Sequence, residues 1–128
     1  MSVMDNLDAL RRALPGCSVV ALGDLSAELV LCASHSGQVP QERLDSLCAA
    51  ASALLGAPQA GRAARLMGAG AGRGPDMAVV MTGLDTRVFL RSTVDEADVL
   101  CCVCGRNVDI TDAAELARST LTEISAQP

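Results

Sequence analysis

Aromatic side chains are nearly missing from this chain of 128 residues, which has no Trp, no Tyr and a single Phe, Phe89. The stacking platforms on which proteins hold nucleic-acid bases are therefore absent. Lysine is missing as well. All ten basic residues are arginines, they form no long run, and the net charge is −5. An acidic chain of this kind is poorly matched to a phosphate backbone, so no nucleic-acid partner is expected. No apolar run approaches the roughly 18 residues of a membrane-spanning helix, so no membrane insertion is expected. The opening MSVMDNLDALRRALPG mixes acids with its apolar residues, unlike the basic start and long apolar stretch of a secretory leader. The expected compartment is the cytoplasm, where disulfides are disfavoured.

Motifs that would carry chemistry are also lacking. GAGAGRG (68–74) has the glycines of a phosphate loop but not its terminal Gly-Lys-Ser/Thr, and Arg73 or Pro75 stands where a dinucleotide fingerprint needs its last glycine. His35 is the only histidine. It adjoins Ser36, but no G-x-S-x-G elbow accompanies it. The acids Asp24, Asp95, Glu96 and Asp98 lack the spacing of a calcium-binding loop and read as solvated turns. No enzymatic activity, cofactor or metal is expected.

What the chain does have is a high apolar content, 50%. With so few aromatics, the core must be built from Leu, Val, Ala, Met and Cys. Met4, Leu7, Leu10 and Leu14 recur at helical spacing until Pro15-Gly16. Apolar runs at 17–23 and 27–34, joined through Gly23-Asp24-Leu25-Ser26, read as a hairpin. Residues 41–56 form the clearest helix, with a stripe of Leu44, Leu47, Cys48, Ala51, Leu54 and Leu55. Ala49, Ala50, Ser52 and Ala53 make its other sides unusually smooth, so it is expected to bury a second face against a partner. A Gly/Ala/Arg-rich stretch follows, 57–76, helical at first and then a loop. Strands at 77–83, 86–93 and 97–104 then read as a meander. A last helix, capped by Thr111, carries Leu116, Ala117, Leu121 and Ile124. The predicted fold is a single α+β domain over residues 1–128, ordered α-β-β-α-β-β-β-α. Strands that are apolar at consecutive positions require cover on both faces, so the five-stranded antiparallel sheet should lie between helices.

Three of the six cysteines fall in ADVLCCVCGRN (97–107). On a strand, Cys102 and Cys104 share one face, while Cys101 joins Val99 and Val103 on the other. Zinc sites draw closely spaced ligands from turns rather than from opposite faces of a strand. Cys17, Cys32 and Cys48 are isolated in apolar runs. The cysteines read as small buried hydrophobes, with a redox-active thiol as the competing reading. Arg87 and Arg91 flank Phe89. Either they meet an acidic partner or they lay their stems along a neighbouring helix.

CSVVALGDLSAELVLCASHSG followed by RLDSLCAAASALLG, and later DMAVVMTGLDTRVFLRSTVDEADVLCCVCG before a closing helix, resemble the Roadblock family of dynein-light-chain-like proteins. The resemblance spans nearly the whole chain and rests on pattern. Departures fall in the loops: the first hairpin lacks an Asp-Gly turn, the long helix is interrupted at 56–61, and residues 105–109 replace a Leu-Gly pair. The resemblance implies a non-catalytic homodimer that regulates or scaffolds a Ras-like small GTPase. The long helix and the third strand would meet their mates through Leu44, Leu47, Ala50, Ala51, Leu54, Met77, Val79, Val80 and Met81. Arg43, Arg87 and Arg91 are the candidates for contact with the GTPase. Stimulated hydrolysis would come from ordering the GTPase's own switch segments, with Arg43 as the first candidate for an arginine finger. A different class of function, a small-molecule sensor of profilin, PAS or GAF architecture, would need an apolar cavity with polar anchors.

Overall fold

The protein is described here by a computed structural model covering residues 2–56 and 76–126. The helical spacing of the first segment produces α1, Val3–Ala13. Ser2 caps it: the Ser2 hydroxyl accepts from Asp5 N and the Asp5 carboxylate accepts from Ser2 N, both at 3.1 Å. This reciprocal box satisfies two backbone donors that a helix start otherwise leaves open. Leu7, Leu10 and Leu14 are buried, whereas Met4 is 40% exposed and outside the core.

The first hairpin is β1 (Val19–Asp24) and β2 (Leu29–His35). Its turn is organised by Asp24, whose Oδ1 accepts from Ser26 N at 2.9 Å, Ser26 Oγ at 2.6 Å and Ala27 N at 3.1 Å. The register slips between Leu22 and Gly23. Gly23 is required there, because a Cβ would lie 3.2 Å from the Leu29 carbonyl oxygen. Then α2 covers Gln41–Ala51 and runs on as a π-helical turn, Ser52–Gly56. The Gly/Ala/Arg-rich expectation for 57–75, including GAGAGRG, lies outside the described residues.

The meander is β3 (Met77–Met81), β4 (Thr86–Arg91) and β5 (Asp98–Cys104). Its first two strands, β3 and β4, are shorter than the apolar runs suggested, because side chains end them. Thr82 Oγ1 accepts from Leu84 N and Asp85 N, at 3.1 and 3.0 Å. Ser92 Oγ accepts from Val94 N and Asp95 N in the same way. Such hydroxyls offer the backbone a turn in place of a ladder. The closing helix, α3, is Ile110–Ser125 and is capped by Asp109 rather than Thr111. The Asp109 carboxylate accepts from Asp112 N at 3.1 Å, and its charge also suits the positive end of the helix. Ala113 takes a core place expected for Leu116, which is 41% exposed.

The five strands form one antiparallel sheet in the order β2-β1-β5-β4-β3. Helices cover both faces, as the uninterrupted apolar strands require. On one face α1 and α3 enclose Val20, Leu22, Val88, Leu90, Leu100 and Cys102. On the other α2 encloses Val19, Ala21, Phe89, Val99, Cys101 and Val103. Leu100, fully buried on the middle strand, tests this packing. Leu100→Ala should cost about 2–5 kcal/mol, whereas Leu116→Ala should stay within about 0.5 kcal/mol. Urea unfolding checks both, with a lower midpoint and an unchanged slope expected for the first.

Candidate interaction surface

The cysteines of β5 stand at C-x-x-C spacing, Cys101 to Cys104, but the pleat of the strand separates them. Cys102 and Cys104 belong to the α1/α3 face and Cys101 to the α2 face. All three are almost completely buried and all six cysteines are free. Burial pushes the Cys101 thiol up to about 12 and raises Cys102 well above the usual thiol value. Since the thiolate is the reactive form, Cys101 and Cys102 are inert in the native state. Among the described residues, no group of three or more His, Cys, Asp or Glu is placed to hold a metal ion. The acids Asp24, Asp95, Glu96 and Asp98 do not make one.

The residues expected at a subunit interface divide into three sets. Leu44, Leu47 and Ala51 are buried against the chain's own sheet, so their side chains are committed to its core. Ala50, Leu54 and Val80, together with Ala78, are only partly buried and lie together along the α2 layer. They form an apolar ledge where the end of α2 meets β3. Val79 packs on the opposite, α1/α3 face. Met77 and Met81 alternate with Ala78 and Val80, so they share the face of Val79, and both are exposed, Met81 at 67%. Beside the ledge, Ser46, Ala49 and Ala53 are exposed on α2 at steps of three and four. Of the small residues singled out in the sequence, Ala49 and Ala53 are exposed, whereas Ala50 and Ser52 are partly buried. β3 is an edge strand: β4 pairs with one side, and among the described residues no strand pairs with the other.

Two of the three candidate arginines converge. Asp85 sits in the β3–β4 turn, where Arg87 Nε donates to its Oδ1 at 3.1 Å. Thr82 Oγ1 donates to the same oxygen at 3.0 Å. Burial pushes the Asp85 carboxyl up, but the hydrogen bonds from Arg87 and Thr82 and the charges of Arg87 and Arg43 outweigh it and hold the group below the usual aspartate value. Arg43, exposed in the first turn of α2, therefore lies within electrostatic reach of the same turn. Leu84, at the tip of this turn, is 88% exposed. Arg91 is placed differently. It is 6% exposed, and its guanidinium donates to the Leu55 carbonyl at the end of the π-helical turn. That hydrogen bond joins the π-helical end of α2 to β4, and the side chain is buried rather than facing solvent. Sequence reasoning missed Asp85; its position two residues before Arg87 in a turn was the only signal.

A groove of about 420 Å³ runs between the end of α1 and the start of α3 and opens to solvent, and another of about 500 Å³ opens beside the β1–β2 turn and residues 95–97. The two sheet faces, where an enclosed ligand cavity of a sensor domain would lie, are filled by side chains. No helix among the described residues is long and apolar enough to cross a membrane.

No family model matches the chain, and no curated protein matches it. Solved structures do. A Roadblock/LC7 domain from Streptomyces avermitilis aligns over 97% of this chain and 95% of its own, with a TM-score of 0.75 and 17% identity. The Roadblock fold is the fold of this chain. MglB, in a structure with a tetrameric arrangement, aligns over 96% of this chain and 85% of its own, with a TM-score of 0.76 and 15% identity. MglC from Myxococcus xanthus aligns over 98% of both chains, with a TM-score of 0.64 and 12% identity. The Roadblock fold was legible from element order and pattern, and at these identities the likeness is one of fold.

Two outcomes follow from the site. A thiol reagent should modify Cys101, Cys102 and Cys104 only after denaturant is added, as read by mass spectrometry, and the half-buried Cys32 sooner. Asp85→Asn should lose about 1–2 kcal/mol at neutral pH, the order of a charged hydrogen bond. The folded carboxyl titrates below its unfolded value, so the stabilisation is present above the ordinary aspartate range and is lost as pH falls through the folded value. Unfolding of the two proteins should therefore converge in acid.

Proposed function

We propose that residues 1–128 act as one unit, a dimeric interaction module that regulates or scaffolds a Ras-like small GTPase, without catalysis of its own and in the cytoplasm. The observation that carries this reading is the partly buried ledge of Ala50, Leu54, Ala78 and Val80 beside the outer edge of β3. An edge strand presents unpaired backbone donors and acceptors, and a second copy satisfies them without exposing a new edge at that position. In the proposed dimer, β3 runs antiparallel to its mate and continues the sheet. Ser46, Ala49 and Ala53 let the two α2 helices approach closely, because small side chains keep the backbones near one another. Self-association in the tetrameric arrangement of the similar MglB supports a two-fold use of this fold.

The GTPase part of the proposal rests on the resemblance to the Roadblock family. Arg87, bound to Asp85, and Arg43, whose charge reaches the same carboxylate, are its partner-facing groups. Their charge suits an acidic segment of a GTPase, and their contribution would be to order its switch regions.

Light scattering coupled to gel filtration tests the dimer. The wild type should elute as a dimer across the micromolar range. Ala49→Arg and Ala53→Arg alter residues exposed in the single chain and should weaken the dimer at least about tenfold, roughly 1.4 kcal/mol. A wild type that remains monomeric sinks the reading. For the partner, the tagged protein is mixed with lysate containing GDP or a non-hydrolysable GTP analogue, and the bound proteins are identified by mass spectrometry. A small GTPase retained with only one nucleotide supports the proposal, and retention without nucleotide dependence removes its GTPase half.

A further inference from the structure

One pair of side chains makes a contact that neither the core argument nor the proposed interface uses: the thiols where the chain leaves α1 and where β5 ends. Cys17 is half-buried and packs against the α1/α3 cluster that contains Cys104. Two backbone hydrogen bonds bracket them. Ser18 N donates to the Val103 carbonyl at 2.9 Å, and Gly105 N donates to the Pro15 carbonyl at 3.3 Å. The β1–β5 ladder ends with Val19 opposite Val103, and residues 17 and 104 meet just beyond this last pair, on the other side of β1 from the hairpin. A disulfide there needs Cα atoms roughly 4.4–6.8 Å apart.

Two glycines allow this approach. Gly16 has φ of +66°, and a Cβ there would lie 3.0 Å from Gly105 Cα. Only with glycine at position 16 do the two backbones close to this distance. The thiols themselves interact: a hydrogen bond from Cys104 lowers the Cys17 thiol below its ordinary value, against the opposing effect of burial, and Val19 and the charge of Arg11 add to the lowering. The same contact, followed by burial, raises Cys104. The pair is unequal in access, with Cys17 half-buried and Cys104 almost fully buried.

We propose that Cys17 and Cys104 form a reversible disulfide when the protein meets hydrogen peroxide. The Cys17 thiolate attacks the terminal oxygen of the peroxide. The O–O bond breaks, sulfur is oxidised to the sulfenic acid, and the leaving hydroxide takes a proton to become water. The Cys104 sulfur then attacks the Cys17 sulfur. The S–O bond breaks, the oxygen leaves as a second water with the Cys104 proton, and the disulfide is complete. A dithiol reductant reverses it. The bond would staple the exit of α1 to the end of β5, joining two ends of the sheet layer that are now tied by backbone hydrogen bonds alone. The remaining β5 thiols are excluded by position, since Cys101 lies on the opposite face of the sheet and Cys102 is further inside it.

The full chain, reduced and then exposed to hydrogen peroxide, tests this. Free thiols are blocked with an alkylating reagent, and the protein is digested without reductant and read by mass spectrometry. The expected product is one cross-link between Cys17 and Cys104, a loss of two hydrogens from the intact mass, and a melting temperature raised by oxidation and restored by dithiothreitol. Cys32→Ser should form the cross-link as the wild type does. Cys17→Ser, at a half-exposed position, should abolish it while folding normally, and Cys104→Ala should leave Cys17 as a sulfenic acid trapped by dimedone. A disulfide between other cysteines, sulfonic acid at Cys17 in the wild type without a cross-link, or no reaction at all would each overturn the proposal.

Discussion

A sheet covered on both faces leaves its middle strand no position for a side chain that needs water, and β5 carries that constraint for the whole molecule. Six of its seven residues are buried. Each must be apolar, and each must be thin enough for a helix to pack close on either side. Val, Leu and Cys meet both conditions, which explains three cysteines within four positions without any chemistry among them. The constraint spreads outward. β1 and β4, which flank β5, are nearly as buried, and the single aromatic ring, Phe89, fills the α2 face beside Cys101. Polar anchors are pushed to the strand ends, where Asp24, Thr82 and Ser92 gather backbone donors and stop the ladder.

The two edges of the sheet are finished differently. At β2, the strand packs against α1, and Ser34 ties them: its hydroxyl donates to Asp8 Oδ1 at 2.5 Å and accepts from Arg11 Nε at 2.9 Å. Leu29 and Leu31 stay exposed there, but the bulge between Leu22 and Gly23 distorts the edge and makes it a poor template for another strand. At β3 the ladder is regular through all five residues, and among the described residues the π-helical end of α2 packs beside it. Arg91 pins that end from within. Its buried guanidinium holds the Leu55 carbonyl, one of the acceptors a helix terminus leaves open, so the position of the ledge depends on a side chain that never reaches the surface.

Periodicity made the fold legible because the elements are short, well punctuated and consistently apolar on their inner faces. The order of elements, the two-sided cover and the split of the β5 cysteines all followed from it. Boundaries and caps were harder. Thr111 looked like a cap because threonine is a good one, but Asp109 stands where the chain turns. Leu116 and Met4 fit the helical stripes by spacing and yet face solvent, since Ala113 and Leu7 take the places nearer the sheet. The surface was legible only in part. Ala49 and Ala53 declared themselves by being small where charge is usual. Leu44, Leu47 and Ala51 could not be assigned between core and interface, because both demand apolar side chains. The role of Arg91 and the reach of the Arg43 charge to Asp85 depend on segments far apart in sequence, which no local pattern records.

The order β2-β1-β5-β4-β3 also governs how the chain must assemble. Val19 pairs with Val103, so the innermost ladder joins the first strand to the last. During synthesis the β1–β2 hairpin and α2 leave the ribosome long before β5 exists, with one side of β1 unpaired and its apolar faces half covered. The meander can form by itself from neighbouring strands, but the sheet closes only when β5 slides between β1 and β4. Contacts so distant in sequence make for slow folding, because the loop entropy is lost before the ladder repays it. The nascent N-terminal half is therefore the stretch of this protein most in need of a chaperone's shelter.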